Sequence, residues 1–168
     1  MKKINWGIIG LGDIAQSFSD GFLNCDNARL LAVSSNKNEK LNQFKNNFEL
    51  KKEYLFNNYE DLIKCEDVDI VYIALPNNLH FQWIMKCIQE NKNILIEKPA
   101  VRNFTEAKKI EKEIIDRNLF FSEGYMYRYY PQIKKVIEIL KTDQLGKLIS
   151  METTFSNNLL FKKNFFFF

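Results

Sequence analysis

Three features of the sequence predict an α/β fold with a doubly wound parallel sheet. Strand and helix patterns alternate from the first residues onward, which is the order that βαβ units produce. A glycine turn, Gly10-x-Gly12-x-x-Ala15, lies between the first predicted strand and the first predicted helix. Residues 70–75 form a continuous apolar run, which is typical of a central strand that is buried on both faces.

The first half of the chain supplies three strand–helix pairs. The predicted elements are a strand over Ile4–Ile9, a helix over 13–25, a strand over 30–34, a helix over 39–48, a strand over 54–56 and a helix over Tyr59–Lys64. In both longer helices apolar residues recur every three or four positions, which favours one buried face. These residues are Ile14, Phe18 and Phe22 in the first helix, and Leu41, Phe44 and Phe48 in the second.

The second half continues the same alternation. The predicted elements are a strand over 70–75, a helix over 79–91, a strand over 93–97, a helix over 105–117 and a strand over 120–123. We expect Thr105 to be the N-cap of the helix over 105–117. Pro131 is typical of a first helical turn, and residues 147–155 are predicted to form a strand that opens a new element.

Composition excludes several classes of function. Of the 168 residues 46% are hydrophobic, and the net charge of +3 comes from 24 basic and 21 acidic side chains in mixed order, so nucleic acid is not an expected partner. No apolar run approaches the length of a membrane span. The single histidine, His80, excludes a multi-histidine metal site, and we expect no metal. Cys25, Cys65 and Cys87 form no paired motif, which favours reduced thiols in a cytoplasmic protein.

The glycine turn predicts a phosphate site. Gly10 makes the tight turn, Gly12 lets the backbone approach a pyrophosphate, and the small Ala15 lets helix and strand pack closely. The helix N-terminus adds free N–H groups and a partial positive charge. The alternative is a pair of turn glycines with no ligand; the strand-to-helix context favours the dinucleotide.

The end of the second strand indicates which dinucleotide. An acidic residue here would bind the ribose 2′-OH of NAD, but the chain has Ser34-Ser35-Asn36-Lys37, with no carboxylate before Glu39. A carboxylate about 4 Å from a 2′-phosphate would cost roughly 4 kcal/mol at an effective dielectric constant near 20. Its absence, with Lys37 close by, favours NADP(H) over NAD(H), although a neutral loop that tolerates both cofactors stays open.

Two later strands end in polar residues. One ends Ala74-Leu75-Pro76-Asn77 and the other ends Glu97-Lys98-Pro99. By default His80 is a capping or surface residue and the Glu-Lys pair is a solvated ion pair. However, the carboxyl ends of parallel strands meet at the ligand crevice. We therefore expect Lys98 to face the same crevice as the glycine turn.

Together these motifs resemble the glucose–fructose oxidoreductase / inositol dehydrogenase family, Gfo/Idh/MocA. The likeness rests on residues 7–15, 74–80 and 97–99 at these spacings, and it continues through residues 122–131 and 145–147. The Tyr-Met-Tyr-Arg-Tyr-Tyr-Pro stretch looks closest to the branch of dihydrodiol and xylose dehydrogenases. The resemblance implies a Rossmann-type dinucleotide-binding domain over residues 1–125 and the start of a substrate and oligomerisation domain over 126–168.

The resemblance also implies roles for individual residues. Lys98 corresponds to the catalytic lysine of the family and also reaches the cofactor, and Tyr125 and Arg128 would fall near a hydroxyl- or carbonyl-bearing small-molecule substrate; for the tyrosines, aromatic packing is an equal alternative. The implied cofactor contacts are Gly10, Gly12, Asp13, Ile14, Ser35, Asn36, Lys37, Leu75, Pro76, Asn77, His80, Glu97 and Lys98. A cis peptide bond before Pro99 is possible. Full-length relatives are expected to be homo-oligomers.

The chain departs from the family pattern after about residue 155. Family members continue into a large antiparallel sheet with an Asp and a His or Tyr that complete the acid–base machinery, whereas residues 157–168 contain no acid or histidine. We therefore expect a truncated oxidoreductase with an incomplete active site. Its apolar tail, residues 159–161 and 165–168, is expected to be exposed. A non-catalytic dinucleotide-binding module or subunit is the alternative. A weaker alternative is an S-adenosylmethionine-dependent methyltransferase, which also has a glycine turn after its first strand. That interpretation explains neither Glu97-Lys98-Pro99 nor the neutral end of the second strand.

Overall fold

A computed structural model describes residues 3–154 and residue 156. The chain divides into two compact units, Met1–Tyr125 and Met126–Phe168. The apolar tail that the sequence analysis singles out lies outside the described residues. The functions assigned above to the two parts of the chain stay predictions.

The first unit is built on one parallel sheet. Its six strands are β1 (Ile4–Ile9), β2 (Ala28–Ser34), β3 (Leu55–Phe56), β4 (Ile70–Ile73), β5 (Asn93–Ile96) and β6 (Phe121–Glu123). They lie side by side in the order β3-β2-β1-β4-β5-β6, and every neighbouring pair is parallel. This order reverses direction between β1 and β4, which confirms the doubly wound sheet and locates its switch point.

Helices cover both faces of the sheet. The described helices are α1 (Asp13–Asp20), α2 (Asn38–Asn47), α3 (Tyr59–Lys64), α4 (Asn77–Gln89), α5 (Phe104–Asp116) and, in the second unit, α6 (Pro131–Lys141). One core lies under α1 and α2, where Ala15 and Phe44 pack against Ile8 and Tyr72. The other lies under α3, α4 and α5. Burial of both faces explains why β4 reads as a continuous apolar run.

Two helix boundaries differ from the sequence prediction. The helix predicted over 13–25 ends at Asp20 and continues as a 3₁₀ turn over Gly21–Asn24; glycine is a poor helix former, and the tighter turn follows it. Thr105 is not an N-cap. The cap is Asn103, whose side-chain oxygen accepts the Glu106 N–H at 2.9 Å, and asparagine is the stronger capping residue.

The strand predicted over 147–155 is absent from its described part, residues 147–154, which have no regular secondary structure. A strand needs a hydrogen-bonded neighbour, and none is present among the described residues of Met126–Phe168. This unit has a 3₁₀ turn at Met126–Tyr129, helix α6 and a second 3₁₀ turn at Asp143–Leu145. None of the helices in the described residues is both long and apolar enough to cross a bilayer.

Candidate functional site

The sheet register brings the predicted site segments to one edge. Ile9 pairs with both Ser34 and Ile73, and Ile73 pairs with Ile96, so β1, β2, β4 and β5 all end at the same level. The next residues are hydrogen-bonded across the strands as well: Gly10 N–H donates to Ser34 O at 3.1 Å. The loops that begin at residues 10, 35, 74 and 97 therefore share the carboxyl edge of the sheet, on both sides of its switch point.

The glycine turn has two glycines with different constraints. Gly10 has φ +86°, and a Cβ added there would lie 2.5 Å from Ala74 O, so both conformation and space require glycine. Gly12 has a negative φ of −84° and nothing within 4 Å of an added Cβ. Protein packing therefore does not explain glycine at position 12. Open space at this position suits the approach of a ligand to the backbone.

Gly12 is also the N-cap residue of α1, and no side chain caps the helix there. The first N–H groups of a helix need a partner, and an anion bound at this turn would accept their hydrogen bonds. Asp13 and Ile14, the first helical residues, are exposed, whereas Ala15 is fully buried against the core. This arrangement fits a pyrophosphate held by backbone N–H groups.

At the end of β2 the buried side chains are neutral, and the exposed side chains that follow include a basic one. Ser34 is fully buried, and its hydroxyl lies 2.7 Å from Asn58 O. Ser35 is also buried, and its Oγ accepts the Lys37 N–H at 3.1 Å. Asn36 and Lys37 are exposed, and Lys37 is the N-cap residue of α2. An exposed amide and an exposed ammonium thus stand beside a helix N-terminus.

The loop after β4 contains a buried histidine. Pro76 and Asn77 are exposed and Leu75 is buried. The His80 side chain has no exposed surface; its Nδ1 lies 2.8 Å from Pro99 O and its Nε2 lies 2.7 Å from Leu75 O. A neutral imidazole can donate to one of these carbonyls and an imidazolium to both. His80 thereby bridges the loop after β4 and the loop after β5.

The loop after β5 carries the Glu97-Lys98-Pro99 sequence, and neighbouring side chains hold the ends of this sequence in place. The Tyr72 hydroxyl donates to Glu97 Oε1 at 2.6 Å, and burial together with this carboxylate raises the pKa of Tyr72, which keeps the donor protonated. A Cβ at Gly124 would lie 3.1 Å from the same oxygen, so glycine leaves room for it. Lys98 is exposed, and its bond to Pro99 is cis.

Sequence reasoning missed two residues of this frame, Tyr72 and Glu123. Glu123 ends β6, and its Oε1 accepts the Ala100 N–H at 2.7 Å. Both act on partners more than 20 positions away, so they gain a role only through strand order. Tyr125 and Arg128, the predicted substrate residues, are exposed; Tyr125 ends the first unit, and Arg128 lies in the second.

The described residues contain no group of three or more histidine, cysteine, aspartate or glutamate side chains placed to hold a metal ion. The polar groups at the sheet edge include backbone N–H groups, hydroxyls, amides, the exposed ammonium groups of Lys37 and Lys98, and the Glu97 carboxylate. This donor set is suited to an anionic organic ligand.

A family model for an oxidoreductase family with an NAD-binding Rossmann fold, GFO_IDH_MocA, matches residues 4–125. The chain belongs to this family. The match covers every strand of the sheet and the four loops at its carboxyl edge, and it confirms the family that the motifs resemble.

Curated relatives that match the chain include an oxidoreductase and two dehydrogenases. An oxidoreductase of Formosa agariphila is 32% identical over 90% of this chain and 47% of its own length. The trans-1,2-dihydrobenzene-1,2-diol dehydrogenase of Bos taurus is 28% identical over 93% of this chain and 47% of its own length. The NADP⁺-dependent D-xylose 1-dehydrogenase of Hypocrea jecorina is 30% identical over 85% and 39%. The chain spans about half the length of the curated relatives it matches.

Solved structures share the fold. A 3-ketoreductase from Actinomadura kijaniata, in complex with NADP and TDP-benzene, superposes with a TM-score of 0.76 at 27% identity, over 83% of this chain and 42% of that one. The scyllo-inositol dehydrogenase of Lactobacillus casei has a TM-score of 0.80 at 24% identity, over 86% and 43%. Both likenesses support the Rossmann fold of the first unit.

Proposed function

We propose that this chain carries the cofactor site of an NADP(H)-dependent oxidoreductase that moves a hydride to or from the hydroxyl-bearing carbon of a sugar, polyol or related small molecule. The observation that carries the proposal is the meeting of the glycine turn, the neutral tip of β2 and the Lys98 loop at one sheet edge. When bound, the nicotinamide supplies the hydride chemistry; the residues of this chain bind, orient and stabilise charge.

The cofactor contacts follow the order of the loops. Backbone groups of Gly10, Gly12, Asp13 and Ile14 hold the pyrophosphate at the N-terminus of α1. The loop after β2 meets the adenosine ribose, and the loop after β4 lines the dinucleotide. The residues of these two loops are Ser35, Asn36, Lys37, Leu75, Pro76 and Asn77. His80, which is buried, supports the site through the Leu75 and Pro99 carbonyls.

The tip of β2 favours NADP(H) over NAD(H). Residues 34–38 contain no carboxylate that would bind the free ribose 2′-OH of NAD or repel a 2′-phosphate. The exposed Lys37 ammonium and Asn36 amide can reach a phosphate, and the N-terminus of α2 adds a favourable dipole.

Lys98 is the proposed catalytic residue. Its exposed ammonium extends from the sheet edge, where it can donate to the substrate oxygen and to the nicotinamide ribose. A fixed positive charge stabilises the alkoxide or carbonyl oxygen while the hydride moves. Glu97 lies on the nicotinamide side, held by Tyr72. Tyr125 and Arg128 are proposed to contact the substrate.

The three described cysteines are free thiols, which suits a cytoplasmic protein. The proposed partners are a small hydroxyl or carbonyl compound and, by analogy with the family, further copies of the full-length protein.

Thermal unfolding with added ligands tests this proposal. NADPH at about a hundredfold excess over its dissociation constant should stabilise the chain by roughly 2.7 kcal/mol. NADH should protect less, and S-adenosylmethionine not at all. Protection by S-adenosylmethionine alone, or by none of the three, would contradict the proposal. Cofactor protection with no turnover of any sugar or polyol, even when the second half of a full-length relative is supplied, would favour the non-catalytic binding module.

A further inference from the structure

The backbone on the C-terminal side of Lys98 is held by side chains of two different elements. From β6, the Glu123 carboxylate accepts the Ala100 N–H at 2.7 Å. From α4, the His80 ring binds the Pro99 carbonyl at 2.8 Å. Residues 99 and 100, which follow the exposed lysine, are therefore each fixed by a distant side chain.

The N-terminal side of Lys98 is already part of the sheet. Glu97 N–H donates to Ile73 O at 3.1 Å, and Glu97 Oε1 accepts the Tyr72 hydroxyl. The lysine is thus the exposed residue of a short turn whose ends are anchored. The Glu123–Ala100 hydrogen bond holds the C-terminal end of this turn in place.

A carboxylate is well suited to that anchor. Ala100 is almost fully buried and Glu123 is half-buried, so the bond is partly shielded from water. An ionised carboxylate is acceptor-only, and its bond to a backbone N–H is stronger than a neutral one. β6 does not need this bond for its own place in the sheet, because residues 121–123 are paired with β5 along the backbone.

We propose that Glu123 is a positioning residue for Lys98: by holding the Ala100 N–H it fixes the turn that aims the Lys98 ammonium at the nicotinamide half of the cofactor. This role rests on the proposed function of Lys98. It differs from a purely structural role, in which the bond stabilises the fold and leaves the cofactor site as it is.

The test uses the full chain and three glutamate variants. Glu123→Ala removes the acceptor, and Glu123→Gln keeps an oxygen that can accept the Ala100 N–H. Glu111→Ala is the matched control, because Glu111 lines the same groove between α5 and β6 but pairs with Lys108 on the exposed side of α5. Each variant is titrated with NADPH and with adenosine 2′,5′-bisphosphate, a fragment that lacks the whole nicotinamide mononucleotide half.

We expect Glu123→Ala to weaken NADPH binding by about fivefold, as for the loss of one hydrogen bond to a site group. Binding of the fragment should stay within about twofold of the unsubstituted chain. Glu123→Gln should recover most of the NADPH affinity, and Glu111→Ala should match the unsubstituted chain with both ligands. In a Lys98→Ala background, Glu123→Ala should have no further effect, because its action passes through Lys98.

Three results overturn the inference alone. The first is an unchanged NADPH affinity in Glu123→Ala, and the second is an equal loss of affinity for NADPH and the fragment, which marks a general disturbance of the fold. The third is an additive loss in the Lys98→Ala background, which would show that Glu123 acts on the cofactor without Lys98. If the unsubstituted chain binds neither NADPH nor NADH, the proposed function fails and the inference fails with it.

Discussion

The two glycines of the turn before α1 show how differently the same residue type can be constrained. Gly10 adopts a left-handed φ of +86° and lies against the Ala74 carbonyl, whereas Gly12 has an ordinary φ and open space around it. The first glycine is required by the fold of this chain. The second is required only if something binds there.

This difference predicts opposite effects of the same substitution. Gly10→Ala should lower the free energy of unfolding by about 2 kcal/mol or more, because it adds both backbone strain and a clash with Ala74 O. Gly12→Ala should cost less than about 1 kcal/mol as a change of N-cap residue but weaken NADPH binding at least tenfold. Urea denaturation and cofactor titration separate the two. Equal losses of stability would contradict this account of the turn.

Lys37 carries the proposed preference for NADP(H). Lys37→Ala should weaken NADPH binding by about fivefold and leave NADH binding nearly unchanged, because only NADPH presents the 2′-phosphate; solvent screening keeps the effect modest. Lys40→Ala is the control, since it removes the same charge within α2 and its ammonium bonds to Gln43. A parallel loss for NADPH and NADH would show that Lys37 does not read the phosphate.

At the scale of single elements, helix termini show where side chains replace missing backbone partners. α5 begins after Asn103, whose side chain accepts the Glu106 N–H, and the Glu106 carboxylate in turn accepts the Arg102 N–H at 3.0 Å. The Arg102 contacts hold the pKa of Glu106 below its ordinary value. The start of α5 is therefore fixed immediately after the loop that carries Lys98.

The cap assignment has a direct test. Asn103→Ala should lower the free energy of unfolding by about 1 kcal/mol, the usual cost of removing a capping side chain. Thr105→Ala should change it by less than about 0.5 kcal/mol, because alanine is a good helix former and Thr105 lies inside the first turn. Chemical denaturation of both variants measures these free energies and shows which residue is the N-cap. A larger effect at Thr105 would restore the cap that the sequence pattern predicts.

At the scale of the whole molecule, the sequence predicts the sheet and the segments at its edge but not the bonds that hold them. The glycine turn and the apolar run over 70–75 are local signals, and each fixes an element by itself. The Tyr72–Glu97 and Glu123–Ala100 bonds join residues 25 and 23 positions apart. Their partners become neighbours only through the strand order, which no local pattern encodes.

His80 and the predicted last strand illustrate the same point. By default the sequence pattern predicts that His80 is a capping or surface residue, whereas the structure buries it against two carbonyls from separate loops. The strand predicted over 147–155 has an apolar pattern but no paired neighbour among the described residues. His80 is buried because it has hydrogen-bond partners from other loops, and residues 147–154 form no strand because no neighbouring strand pairs with them among the described residues.

The packing of the first unit also determines how accessible its cysteine thiols are to reagents. Cys87 lies on the buried face of α4, and burial raises the pKa of its thiol far above the ordinary value, while Cys25 and Cys65 are partly exposed. A thiol reagent should therefore modify Cys25 and Cys65 quickly in the folded chain and Cys87 only on unfolding. Peptide mass mapping after timed labelling reads out all three. Rapid labelling of Cys87 under native conditions would contradict the two-sided core.

Hydrogen exchange with and without NADPH tests the central claim, that the carboxyl edge of the sheet is the cofactor site. We expect NADPH to slow amide exchange in four segments that are distant in sequence. These are residues 10–14, 35–37, 75–77 and 97–98. Amide exchange at the opposite edge of the sheet, including the loop at residues 65–69, should be the same with and without NADPH. Protection confined to that opposite edge, or no protection at a saturating NADPH concentration, would contradict the account.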